Sequence, residues 1–233
     1  MTIRTLLMVA LAVLAAGCSY RGPTDDIVSQ RLTWFSYLNG DDIRGLCFSG
    51  APERYRLVYN GDFDIQARGY DYVETSGGGG VLNQVVDRGI TFGGGQPVDF
   101  TRVGAPIRAS MPIGADGAAR LKALMRASGV FDPPPVGLRL NSRGHYWIVS
   151  GCHDGRFFLT GYRYPSDRYD GLRFVAFLQA ADRTGVRYPT LPAPGRARFQ
   201  ARCRPNTEQT VNSQTCFWQE IGPDGLVGIA TAD

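Results

Sequence analysis

The 233-residue sequence has very little lysine and histidine. Lys122 is the only lysine, and His145 and His153 are the only histidines. An S-x-x-K site built on Lys122 is excluded because Ala119 stands three residues before it. The G-x-S-x-G and H-E-x-x-H patterns are also missing, which argues against the usual esterase and metallopeptidase sites. No catalytic residue is predicted from these patterns.

The sequence also lacks a strong charge of either sign. Its 25 Lys and Arg residues against 21 Asp and Glu residues give a net charge of +4. This excess is too small to indicate nucleic-acid binding. Nearly all the cations are arginine, whose guanidinium group binds carboxylates and phosphates in a planar fork. A GC-rich genome is the favoured explanation of the same bias.

No apolar segment is long enough to cross a membrane. Arg4 precedes eleven apolar or small residues, from Leu6 to Ala16. A helix needs about 20 residues to span the hydrocarbon core. A positive charge followed by a short apolar run is typical of a cleavable export signal.

The apolar run ends in Leu14-Ala15-Ala16-Gly17-Cys18. This string resembles the lipobox of bacterial lipoprotein signal peptides, with alanine instead of leucine three residues before the cysteine. The resemblance implies cleavage after residue 17 and acylation of Cys18. Several acyl chains anchor a protein stably, whereas one binds only marginally. The alternative is an ordinary secretory signal, cut near Ala16, with Cys18 as a free or disulfide-bonded thiol.

The lipobox resemblance divides the chain into three parts. Residues 1–17 are the expected signal peptide, residues 18–26 a lipidated tether, and residues 27–233 a single β-rich periplasmic domain. Ser19 follows the cysteine where an aspartate often marks retention in the inner membrane, so we expect the periplasmic face of the outer membrane. The polar residues 19–26 reach about 25 Å when extended, which keeps the domain close to the membrane.

Five cysteines are present, and acylation of Cys18 leaves an even four. Four cysteines allow three pairings. We favour Cys203–Cys216, which flank a polar stretch, and Cys47–Cys152, which would tie the start of the domain to its middle. The absence of C-x-x-C spacing and the oxidising compartment argue against zinc. We predict no cofactor and no metal.

Short runs of β-forming residues separated by turns predict an α+β fold that is predominantly antiparallel β, as a sandwich or partly open barrel. The clearest hairpin joins residues 145–152 to residues 156–162. Another strand, residues 54–59, meets Asn60-Gly61, a strong turn dipeptide, before its partner at residues 65–74. Further strands are predicted over residues 81–90, 199–203, 216–221 and 226–230.

One main helix is predicted near residues 116–128. Leu121, Leu124 and Met125 form an apolar stripe at helical spacing, and Asp116 stands where a cap belongs. Two other segments are less clear. We interpret the aromatic residues 32–38 as a strand, although helical spacing also fits, and residues 172–181 fit either a strand or a helix. Residues 41–47 are predicted to form a helical turn capped by Asp41.

The remaining chemistry is sparse. Asp41, Asp42, Glu53 and Asp154 are candidates for the paired carboxylates of a glycan hydrolase, although turn and capping roles explain them as well. Cys152 and His153 are adjacent, but neighbours in a strand point to opposite faces, so they do not form a nucleophile pair.

We therefore expect a membrane-anchored envelope lipoprotein that acts as a non-catalytic binding or assembly module. Its partners would be the membrane, through the lipid anchor, and an envelope protein or a cell-wall polymer. The aromatic groups at residues 34–37 and 146–147 fit either a sugar-binding face or a β-domain core. The alternatives are a peptidoglycan hydrolase and an inhibitor of lysozyme-type enzymes.

Overall fold

The structure is a computed structural model that describes residues 19–20, 27–63, 65–87, 106–200 and 217–231. Its helices are α1 (Ile27–Asn39), α2 (Asp41–Arg44), α3 (Ala115–Ala127), α4 (Asp167–Asp170), α5 (Phe174–Ala181) and α6 (Pro194–Gln200). Its strands are β1 (Arg54–Gly61), β2 (Ala67–Glu74), β3 (Gly80–Asp87), β4 (Ile107–Ile113), β5 (Arg139–Asn141), β6 (His145–His153), β7 (Arg156–Tyr164), β8 (Phe217–Ile221) and β9 (Leu226–Thr231).

The strands form two antiparallel sheets. Six strands lie in the order β4-β3-β2-β1-β6-β7, and three lie in the order β5-β8-β9. The α+β class with mostly antiparallel strands is therefore confirmed. The predicted main helix is α3, although its N-cap is Gly114 and Asp116 lies in its first turn.

Both faces of the large sheet are covered over its central strands. On one face, tyrosines of β1 and β2 pack with Trp147 under helices α3 and α5. On the other face, Val58 and Ile148 pack against Leu38 of α1 and Ile221 of the small sheet. This double burial explains why β1 and β6 are buried along nearly their whole length instead of at alternate residues.

Several local predictions were wrong. Residues 32–38 belong to α1, because Trp34, Tyr37 and Leu38 recur at helical spacing and reach the sheet together. The strand β1 continues through Asn60-Gly61, and the chain turns after it. Gly40, not Asp41, caps α2.

The ambiguous segment at residues 172–181 and the start of the strand predicted over residues 199–203 are both helical, so that strand prediction was wrong where the structure describes it. Residues 172–181 contain helix α5, which begins at Phe174. The strand predicted over residues 199–203 begins inside helix α6, which ends at Gln200, and residues 201–203 lie outside the described residues.

Cys47 and Cys152 form a disulfide with their Cα atoms 5.4 Å apart and a sequence separation of 105. This is the pairing that the sequence favoured, and it ties the loop after α2 to β6. Cys18, Cys203 and Cys216 lie outside the described residues. Within the described part of the chain, no helix combines the length and the apolarity that a membrane span requires.

Candidate functional site

A cleft of about 440 Å³ opens over one half of the sheet face that carries α1. Two rows of side chains cross its floor. One row runs from Gly69 through Val85 to Arg108, and the next runs from Asp71 through Asn83 to Ser110. The first row is apolar over β2 and β3, whereas the second row is polar on all three strands, so the floor offers both apolar surface and polar groups that could orient a ligand.

Aromatic rings form the wall of the cleft. Trp34 and Tyr37 of α1 stack with their centroids 5.8 Å apart, and Phe63 lies 5.8 Å from Trp34 on the other side. Gly69 makes room for this wall, because a Cβ atom there would lie 2.2 Å from the Tyr37 hydroxyl oxygen. The glycine lets the tyrosine lie directly on the strand.

The wall contains one orphaned donor. The Trp34 Nε1 atom is buried and has no hydrogen-bond partner among the described residues. A buried N–H without an acceptor is destabilising, and such groups are rare in folded proteins. The cleft therefore offers a donor that an occupant with an acceptor atom would satisfy.

Tyr20, which precedes helix α1 in the sequence, also belongs to the wall of the cleft. Its backbone N–H donates to Ser36 Oγ at 2.9 Å, and its ring meets the Tyr37 ring edge-on at 4.8 Å. The Arg56 guanidinium lies 4.9 Å from the Tyr20 centroid and 4.0 Å from that of Tyr37. Residue 20 therefore docks on the domain and does not extend from it as a free tether.

A buried ion network supports the cleft from below. Arg56 is fully buried, and it bonds Asp42 at 2.8 Å and Asp71 at 2.9 Å. Tyr37 donates its hydroxyl to the same Asp71 at 3.3 Å. Burial alone would raise the pKa of Asp42, but the bonds from Arg56 and the charge of Arg54 outweigh it and lower that pKa. The network holds the aromatic wall against the sheet.

A second polar cluster lies near α3, where β1 begins and where β2 and β6 end. Lys122 contacts Glu53 at 2.7 Å and Glu74 at 3.6 Å. His153 Nδ1 lies 3.1 Å from Glu53, and the hydroxyl group of Tyr55 donates to the same carboxylate. The only lysine and one of the two histidines thus meet at one carboxylate.

The donor set of this cluster does not suit a metal ion. Atoms of Glu53, His153 and Asp154 lie within 4.8 Å of one another. However, Lys122 binds Glu53, and Arg126 lies 3.5 Å from His153 Nε2. Two cations beside the ligand atoms oppose a third, so we assign the cluster to ion pairing.

Glu53, the carboxylate at the centre of this cluster, does not suit the acid role in glycan cleavage. Glu53 and Asp154, both predicted candidates, do come together here. Burial alone would raise the pKa of Glu53, but bonds from Lys122 and Tyr55 lower it below its usual value. Glycan hydrolases need one carboxyl with a raised pKa, which remains protonated near neutral pH.

The other predicted candidates have structural roles. Asp41 accepts hydrogen bonds from Ser36 at 2.7 Å and from Asn39 at 2.6 Å, and so joins α1 to α2. Asp42 belongs to the Arg56 network. His145 is buried against Tyr59 at 3.2 Å, and burial lowers its pKa.

Of the two aromatic groups, one lines the cleft and the other lies in the core. Trp34 and Tyr37 face the cleft, whereas Tyr146 and Trp147 are each 1% exposed. Sequence reasoning missed Tyr20, Asp71 and Asn83 as site residues. The available signal was slight, since the two-residue period of a strand places the polar residues Asn83 and Asp87 on one face of β3.

Comparison with known proteins identifies no family for this chain. No protein-family model matches the chain, and neither does any curated protein. A solved structure of MRP1/MRP2 from Trypanosoma brucei is 15% identical in sequence and covers 70% of this chain and 94% of its own. Its TM-score is 0.22, which is too low to define a shared fold.

Proposed function

We propose that this protein is a lipid-anchored envelope protein, acylated on Cys18 at the periplasmic face of the outer membrane. It acts as a non-catalytic binding module, and its binding site is the cleft beside α1. The ligand has an apolar body that packs on the aromatic wall and an acceptor group that meets the polar atoms around it.

The docking of Tyr20 carries this proposal. Tyr20 stands two residues after Cys18 and forms part of the cleft wall. Two residues span at most about 7 Å, so an anchor on Cys18 would hold the cleft at the membrane surface. A ligand taken from the membrane or its surface would then meet the cleft without crossing the periplasm.

Binding is favoured over hydrolysis by the state of the charged groups. The carboxylate of Asp71, in the cleft floor, is bonded to Arg56 at 2.9 Å. The pKa of Glu53, in the second cluster, is lowered by its partners. A glycan hydrolase needs a carboxyl group with a raised pKa, and the lowered pKa of Glu53 does not fit that role.

The anchor is tested by fractionation of a Gram-negative host that expresses the full chain or its Cys18→Ser variant. We expect the full chain in the outer membrane, with an intact mass that includes acyl groups. The Cys18→Ser protein should be released as a soluble, folded domain that keeps the Cys47–Cys152 disulfide. A mass without acyl groups on the full chain would refute the anchor, whichever fraction contains the variant.

A further inference from the structure

The cleft lies beside the point where the proposed anchor leaves the domain. Ser19 and Tyr20 are described, and Tyr20 belongs to the cleft wall. Cys18 is one residue before Ser19. An acyl chain on Cys18 therefore begins within about 7 Å of Tyr20, which is close enough to enter the cleft without unfolding any described element.

The interior of the cleft suits a hydrocarbon chain. Trp34, Tyr37 and Phe63 form the wall, and Gly69 and Val85 form the apolar part of the floor. The volume of about 440 Å³ falls within the range of small-molecule sites. A hydrocarbon chain in this position contacts aromatic side chains instead of membrane lipid.

Charge near the chain would oppose this occupant, but the carboxylate of Asp71 in the cleft floor is paired. Asp71 is bonded to Arg56 at 2.9 Å and accepts a further hydrogen bond from Tyr37 at 3.3 Å. The floor therefore presents a neutralised pair at this point. Pairing of this kind makes a buried charge tolerable beside an apolar ligand.

The orphaned Trp34 N–H is a second, independent indication. It is buried in the wall and lacks an acceptor among the described residues. A bare hydrocarbon would leave it unsatisfied. An acylated cysteine carries ester carbonyl oxygens at the head of its chains, and such an oxygen can accept this hydrogen bond.

We propose that the cleft holds one acyl chain of the same molecule's Cys18. The proposal rests on the acylation of Cys18 proposed above, and it names a long-chain acyl group as the ligand class of the cleft. The remaining acyl chains keep the protein on the membrane. A second acyl lipid binds only by displacing the resident chain.

The test compares the acylated full chain with the Cys18→Ser protein in the same detergent. The probe is a fluorescent long-chain fatty acid. We expect the Cys18→Ser protein to bind the probe. If the resident chain fills the cleft about nine-tenths of the time, the acylated protein should bind the probe about tenfold more weakly.

A matched pair of variants locates the binding. In the Cys18→Ser background, Val85→Glu adds a charge to the cleft floor and should abolish probe binding. Val81→Glu is the control, because Val81 is also half-buried, lies on the same face of β3 and does not line the cleft. It should keep the affinity of the parent protein. Circular dichroism and thermal melting verify that both variants fold.

The outcomes separate the two proposals. Equal probe affinity for the acylated and Cys18→Ser proteins, weakened in both by Val85→Glu, would overturn the resident chain and keep the binding module. No binding by the folded Cys18→Ser protein, or equal loss in both glutamate variants, would overturn the acyl ligand. A full chain whose mass lacks acyl groups would overturn the anchor itself.

Discussion

The two halves of one face of the large sheet are covered differently. Over β1 and β6, Val58 and Ile148 lie opposite each other and are each 1% exposed under α1 and the small sheet. Over β2 and β3, the same row continues with Gly69 and Val85, which line the cleft. The backbone ladder is continuous across both halves, so the difference arises from the side chains and from the helix above them.

The neighbouring row explains where the change occurs. Arg56 of β1 is fully buried, Asp71 of β2 is partly buried, and Asn83 of β3 is exposed. Exposure therefore increases along this polar row away from β1. We infer that the packed half carries the stability of the fold, while the open half is free to bind a ligand, with Arg56 at the boundary.

Removing the boundary charge should have the largest effect. Arg56→Met leaves Asp42 and Asp71 without their buried partner. Breaking a buried ion pair by removing one member costs about 3–5 kcal/mol. We expect a loss of this size in the free energy of unfolding, measured with urea, together with weaker probe binding because the aromatic wall rests on Arg56.

Arg54→Met is the matched control for this prediction. Arg54 also contacts Asp42 at 2.8 Å, but its side chain is 26% exposed. Exposed pairs contribute about 1 kcal/mol or less. Equal losses for the two variants would mean that burial does not distinguish the boundary arginine from its neighbour.

A pair of matched valines compares the two halves directly. Val58→Ala removes two buried methyl groups and should lower the free energy of unfolding by about 2 kcal/mol. Val85→Ala, in the half-buried cleft floor, should cost about 1 kcal/mol or less. Probe binding should respond in the opposite order. If Val85→Ala is the more destabilising change, the cleft half is part of the stabilising core.

The sequence predicted the elements whose signals are local. The hairpin of β6 and β7 follows from β-forming residues on both sides of a turn, where Asp154 and Gly155 adopt positive φ angles of 50° and 71°. Helix α3 follows from its apolar stripe. Residues 32–38 of helix α1 were assigned to a strand because their aromatic side chains favour strands when considered alone, and packing on the sheet decides for the helical spacing that also fitted.

The cleft was not predictable for a different reason. Its wall depends on contacts between residues far apart in sequence, such as Tyr20 with Ser36 and Tyr37 with Asp71, which are 34 residues apart. No local sequence pattern indicates that Gly69 lies beneath the Tyr37 hydroxyl group. The candidate carboxylates were selected from the sequence by residue type alone. The ion pairs that lower the pKa values of Asp42 and Glu53 form only in the fold, so the sequence did not reveal them.

The smallest expected effect is a loss of folding stability at acid pH. The pKa of Asp42 is lowered by Arg56 and Arg54 despite burial, so it lies below its usual value of 3.8 in the folded protein. Such a group adds stability above its unfolded pKa, and that stability is lost as the pH falls through the lower folded pKa. The free energy of unfolding should therefore fall between about pH 5 and about pH 2.

Asp42→Asn should flatten this acid-side slope, because the amide cannot titrate. Asp224→Asn, in the exposed turn between β8 and β9, is the control and should leave the slope of the parent protein unchanged. Urea unfolding at several acid pH values measures both. If Asp42→Asn keeps the slope of the parent protein, other titrating groups cause the acid sensitivity. The Arg56 network would then contribute less to the stability of the packed half than its burial indicates.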